Sequence, residues 1–126
     1  MFSVRSCYMV EGHECHARRA DSGMLVLYTF GIFFFYDSSL PLQEQSIFVS
    51  LNDVIAVQSC SLPSKEVAKF VKRATTVGGK CLLIQITDEH QRKNTKLFVG
   101  ITEIERLIGE IIEVAANTGH TVLPHI

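Results

Sequence analysis

The sequence lacks a surplus of charge, a long apolar run, spaced cysteine pairs and any low-complexity tract, and each absence removes a class of function. The formal net charge is −1 over 126 residues. A dedicated nucleic-acid binder needs a basic domain to neutralise phosphates, so nucleic acid is not an expected partner. The longest apolar stretch, residues 24–36, is interrupted by Thr29 and Gly31 and falls short of the roughly 20 apolar residues that cross a bilayer. The first residues, MFSVRSCYMVEG, hold neither an apolar core nor a small-residue cleavage site, so no secretory signal is expected. The four cysteines then read as reduced thiols of a cytoplasmic protein rather than as a disulfide frame. No repeat or linker divides the chain, and with 47% hydrophobic residues it can bury one core.

What is present is mostly strand periodicity. Residues 3–11, with Val4, Tyr8 and Val10, read as a first strand, and the polar GHECHARRADSG after it as a loop or hairpin tip. Residues 24–29 and 32–36 are two strands rich in β-branched and aromatic side chains, with Gly31 between them as a turn or bulge. A loop over 37–45 follows. Residues 46–51 put Ile47, Val49 and Leu51 on one face, Asn52-Asp53 turns the chain, and 54–59 alternate less cleanly, Ile55 and Val57 opposing Val54 and Ala56. Residues 81–87 set Leu82, Ile84 and Ile86 against Leu83. After the charged turn DEHQRKN, residues 96–99 form a last short strand.

Two segments switch to the helical period. Residues 64–75 place Val67, Phe70, Val71 and Ala74 on one face and Lys65, Lys69, Lys72 and Arg73 on the other. Residues 102–117 carry an apolar stripe of Ile104, Leu107, Ile108, Ile111, Ile112 and Ala115. Thr102 and Glu105 have capping-box spacing there, and Asn117 with Gly119 supplies a stop.

Seven strands joined by connections too short for crossover helices, then one long helix, describe an antiparallel sheet curled into a barrel and plugged at one end. The local text, Gly23-Met-Leu-Val-Leu-Tyr-Thr, then Gly31-Ile-Phe-Phe-Phe, then Ile47-Phe-Val-Ser-Leu-Asn-Asp-Val-Ile-Ala-Val, resembles the hydrophobic spacing of the pleckstrin-homology-like (PH-like) superfold, in particular its GRAM, GLUE and transcription-factor-IIH kinds. The resemblance implies one PH-like domain over residues 1–126: a mainly β, seven-stranded antiparallel barrel capped by the C-terminal helix, with a short helix between strands five and six. It also implies that the loops after strands one, three and six share one barrel mouth. Phosphoinositide-binding members carry a lysine near the end of the first strand and basic residues early in the second. Here the first strand ends Val10-Glu11 and the second opens Gly23-Met24, leaving only Arg18 and Arg19 in the loop between. Asp21, Asp37, Glu44, Asp88 and Glu89 share the mouth loops and weigh against an anionic ligand.

The candidate sites follow. His13, Cys15 and His16, with Cys7 nearby, have the donor chemistry for zinc but not the paired spacing of a structural site. No metal or other cofactor is expected. Cys15, Cys60 or Cys81 could be matched with His90 or His120 as nucleophile and base, but nothing in the sequence brings them together or lowers a thiol pKa. Gly78-Gly79-Lys80 lacks the remainder of a phosphate loop. No enzyme activity is expected. Two surface readings are left. Strand alternation sends Phe33 and Phe35 one way and Phe34 and Tyr36 the other, and a core needs only one face. Surplus apolar surface at Phe34, Tyr36, Met24, Val26 and Tyr28 is the candidate protein-interaction site, for a partner chain or a second copy. Basic residues Arg18, Arg19, Arg92 and Lys93, or the face of Lys65, Lys69, Lys72 and Arg73, are the candidates for an anionic lipid such as a phosphoinositide. The expected role is a non-catalytic scaffold, trafficking or cytoskeletal adaptor in the cytoplasm, at the cytoskeleton or a membrane surface.

Overall fold

A computed structural model of the chain describes residues 3–13, 16–37, 46–61, 80–87 and 90–126, and at positions 10–13, 16–20, 60, 61, 97 and 99 the backbone alone. Seven strands appear in the expected order: β1 (Ser3–His13), β2 (His16–Leu27), β3 (Gly31–Tyr36), β4 (Ser46–Ser50), β5 (Val54–Ser61), β6 (Lys80–Thr87) and β7 (Lys93–Val99), followed by the helix α1 (Ile104–Asn117). Every ladder is antiparallel, and the spatial order is β4-β3-β2-β1-β7-β6-β5. A four-stranded sheet and a three-stranded sheet meet where Tyr8, Met9 and Val10 pair with Val99, Phe98 and Leu97. Among the described residues no ladder joins β4 to β5, so closure into a barrel is not seen. The chain passes between them through a 3₁₀ turn, Leu51–Asp53, in which Asn52 N–H donates to Ser50 Oγ at 3.3 Å and Leu51 is buried. The expected helix over 64–75 lies outside the described residues.

The polar stretch read as a loop or hairpin tip after the first strand is the upper part of the β1–β2 hairpin, with His13 opposite His16 and a bulge between Glu11 and Gly12. Backbone ladders do not need apolar side chains, so composition left the choice between loop and hairpin open. A second bulge, at Ile55, explains the poor alternation of β5. It shifts the register between Val54 and Ala56, so Val54 and Val57 both reach the core while Ala56 does not.

The core lies between the sheets and α1. Leu25, Leu27, Ile32 and Phe34 from the first sheet and Val57, Leu82, Ile84 and Phe98 from the second form one cluster with Ile104, Leu107, Ile108, Ile111, Val114 and Ala115. Each fully buried Leu, Ile or Phe contributes about 1.5–3 kcal/mol. Val114, rather than the half-buried Ile112, completes the helix stripe.

The expected capping box does not form. Glu103, just before the helix, is left-handed (φ 54°, ψ 47°) and makes no side-chain cap bond. Its carboxylate is held by Arg5 at 3.6 Å and Arg106 at 3.3 Å. Glu105 is drawn aside by the Ser59 hydroxyl, which donates to it at 2.6 Å. The helix stops as expected: Gly119 takes φ +80°, and the Gly119 and His120 N–H groups donate to Ala116 and Ala115 at 3.0 and 2.9 Å. Beyond it Leu123 pairs with β5 as a parallel bridge at Ala56, with Val57 N–H donating to Leu123 O at 2.9 Å and Leu123 N–H to Ile55 O at 3.0 Å. Val122 is buried below.

Candidate functional site

The outer side of the four-stranded sheet follows from one short turn. Tyr28 N–H donates to Gly31 O at 2.8 Å, closing a two-residue loop of Thr29 and Phe30 that aligns Leu27 with Ile32, Val26 with Phe33, Leu25 with Phe34 and Met24 with Phe35. Because Leu25, Leu27, Ile32 and Phe34 point into the core, Met24, Val26, Phe33 and Phe35 share the opposite face. The β1 and β4 ladders extend this face into two rows that cross all four strands: Val4, Val26, Phe33 and Phe48, then Ser6, Met24, Phe35 and Ser46.

Neither row contains a charged residue. Phe33 lies at the centre, its ring centroid 4.6 Å from Phe48, 5.3 Å from Tyr28 and 5.4 Å from Phe35, with Phe30 at 6.2 Å. Such edge and offset arrangements are the favoured aromatic geometries. Gly31 is part of the design: a Cβ there would fall 2.1 Å from Phe48 Cε2, so only glycine lets the Phe48 ring lie flat across β3. Val26 is buried beneath its neighbours, whereas Phe30, Phe48, Met24 and Val4 expose 57, 48, 42 and 38% of their surface.

The structure therefore divides the expected apolar site. Met24, Val26 and Tyr28 lie on this face, but Phe34 and Tyr36 do not. Phe34 is among the most buried side chains of the protein, its ring against Phe98 and Tyr36, and Tyr36 packs on the core. Register is the reason: Tyr36 aligns with Gly23, one residue out of step with Met24. Phe33, Phe35, Phe48 and Phe30 are the members that sequence reasoning missed. The parity of Leu25 and Leu27, carried across a two-residue loop, is the signal that finds them.

The basic candidates are more scattered. Lys65, Lys69, Lys72 and Arg73 lie outside the described residues. Arg19 stands in β2 opposite Glu11, with Arg18 as the extra residue of the bulge. Arg92 and Lys93 are exposed where β7 begins. The antiparallel order puts these two pairs toward the same end of the sheet. Asp37 is exposed at the end of β3; Glu44, Asp88 and Glu89 are outside the described residues.

Of the proposed nucleophile and metal residues, Cys15 is outside the described residues and the Cys60 side chain is not described. Cys81 is buried. Cys7 is buried in the core, and desolvation pushes its thiol from 9.0 up to about 12, with the Asp37 charge adding to the rise and a Leu25 backbone hydrogen bond opposing it. His90 is exposed, and His120 Nε2 lies 2.7 Å from Val54 O. No group of three His, Cys, Asp or Glu among the described residues is arranged to hold a metal ion, and no described helix is long and apolar enough to cross a membrane.

No protein-family model and no curated protein matches the chain. Its structure is similar to the crystal structure of the C-terminal domain of an unknown protein from Leishmania infantum, with a TM-score of 0.58 and 10% identity, covering 90% of this chain and 82% of that one. At that identity the likeness concerns the fold alone.

Proposed function

We propose that the chain is a non-catalytic, PH-like protein-interaction module that docks partners on the outer face of β2, β3 and β4, as an adaptor in a cytoplasmic scaffold, trafficking or cytoskeletal assembly. The strand order, the four-plus-three sheets and the C-terminal helix support the PH-like part of this reading. One observation carries the functional part: an uncharged apolar row crosses four strands, and its Phe48, with Phe30 in the turn beside it, is about half exposed. An exposed, contiguous apolar patch of this kind marks interaction surfaces on soluble proteins, and aromatic residues with little conformational entropy to lose are the usual anchors.

A second reading, an anionic-lipid adaptor, draws on the common placement of Arg18, Arg19, Arg92 and Lys93 at one end of the sheet. One experiment separates the two. The wild-type chain and Met24→Lys and Phe35→Lys variants are compared for co-purifying proteins under matched folding, and for sedimentation with liposomes with and without phosphoinositide. Docking on the aromatic face predicts loss of the co-purifying proteins from both variants and no salt-sensitive liposome binding. Unchanged partners in both variants, or liposome binding that disappears on replacing Arg18 and Arg19, would overturn it.

A further inference from the structure

The two edges of the sheet are treated differently. β5 is met at Ala56 by the parallel bridge to Leu123, which takes up the outward Ile55 C=O and Val57 N–H. β4, among the described residues, pairs with β3 alone. Which of its backbone groups face outward can be worked out from both neighbouring ladders. Tyr28 bonds to Gly31 and Asp37 N–H to Ser22 O, so alternate β3 residues from Gly31 onward bond to β2. Leu51 N–H donates to Phe30 O at 3.2 Å, so Ile32 and Phe34 bond to Val49 and Ile47. The N–H and C=O groups of Ser46, Phe48 and Ser50 are thereby directed at the open edge. No lysine, proline or inward-pointing charge, the usual protections of an edge strand, occurs in β4.

The sequence of β4, Ser46-Ile47-Phe48-Val49-Ser50, reads nearly the same in both directions. An antiparallel pairing of two such strands about Phe48 sets Ser46 against Ser50, Ile47 against Val49, and Phe48 against Phe48. This is the self-complementarity that a two-fold interface requires. Phe48, with both backbone groups facing outward, sits on the axis and exchanges both hydrogen bonds with its copy. Like faces like on each side of the ladder: serines and an aromatic pair outside, branched aliphatics inside. Ile47 and Val49, only partly buried and lining an apolar cleft with Ile32, Phe34 and Phe98, gain cover. The two rows beside the edge hold no charged residue; on the inner side Lys96 lines the cleft with Ile47 and Val49.

We infer that the occupant of the β4 edge is a second copy of this chain, paired antiparallel about Phe48, so that two aromatic faces join into one continuous surface. The inference rests on reading that face as a docking surface and identifies what lies beside it. Sedimentation velocity over a range of concentrations tests it. The wild-type chain is expected to dimerise, and Phe48→Lys to weaken the dimer about tenfold or more by removing the aromatic pair and opposing two like charges. Ser50→Pro is the second variant: the residue already has φ −64°, which proline accepts, and the change removes one outward N–H, with Ser50→Ala as the control for loss of the Oγ that accepts from Asn52 N–H. In a background without the other reactive thiols, a short thiol cross-linker should join Ser46→Cys chains to Ser50→Cys chains. It should not join Ser46→Cys chains to each other, since those positions would lie about 13 Å apart along the strands. A monomer at every concentration, or a dimer indifferent to both edge variants, overturns the pairing. Met24→Lys and Phe35→Lys are expected to stay dimeric while losing partners, so failure of the edge and failure of the face are read separately.

Discussion

The two sheets carry apolar side chains on their outer faces and treat them in opposite ways. On β5 and β6 the apolar residues that alternate away from the core, Ala56, Leu83 and Cys81, expose 1, 7 and 0% of their surface and lie outside the main cluster, beside the half-buried Gln58 and Gln85. On the four-stranded sheet the corresponding Met24, Phe48 and Val4 expose 42, 48 and 38%. Hydrophobicity at an outer strand position is thus not itself a sign of a binding face. What marks a candidate is the combination of apolar side chains with solvent access, and among the described strands the β2–β3–β4 face has both.

The contrast can be broken most severely at Leu83. Leu83→Lys, which buries a charge with no partner, is expected to cost about 5 kcal/mol, enough to unfold a domain of ordinary stability. Met24→Lys should stay within about 0.5 kcal/mol of wild type. Urea denaturation compares them, and equal losses would abolish the distinction between the faces. A smaller effect sits directly behind the aromatic rows, at Cys7. The folded protein holds the thiol proton up to about pH 12, whereas the free thiol titrates near 9.0. The stability tied to that proton is therefore whole below pH 9 and is lost as pH rises toward 12. Each unit of displacement is worth about 1.4 kcal/mol, so the loss is on the order of a few kcal/mol. Cys7→Ala should flatten that part of the stability–pH curve relative to wild type; parallel curves would show the thiol to be accessible. A smaller loss than at Leu83 or Cys7 is expected at Gly31. Gly31→Ala should cost about 1–3 kcal/mol, since its Cβ would fall 2.1 Å from Phe48 Cε2 and 2.7 Å from Val49 O. Adding Phe48→Ala should recover the part due to the ring and leave the part due to the backbone, and strictly additive losses would remove the ring contact.

Strand order and the C-terminal helix were legible because alternation and the 3.6-residue period are local properties of the text. What escaped the sequence depends on partners distant along the chain. The faces of Phe34 and Tyr36 depend on register with Gly23 and Leu25. The capping role of Glu105 is lost to Ser59, 46 residues away. The bridge at Leu123 involves too few residues to show a period. The extent of the upper β1–β2 hairpin was left open for a different reason, since its ladder is made by backbone groups that leave no mark on composition. Of the exposed face, β2 and β3 with Met24, Val26 and Tyr28 could be named in advance, whereas β4 and the side chains of Phe30, Phe33, Phe35 and Phe48 could not.

The bridge at Leu123 also has a bearing on size. The bridge occupies β5 at Ile55 and Val57 and so shortens the edge that β5 offers to another chain. A pairing about a two-fold axis at β4 uses that edge in both molecules at once, so this contact closes at a pair instead of continuing as a filament.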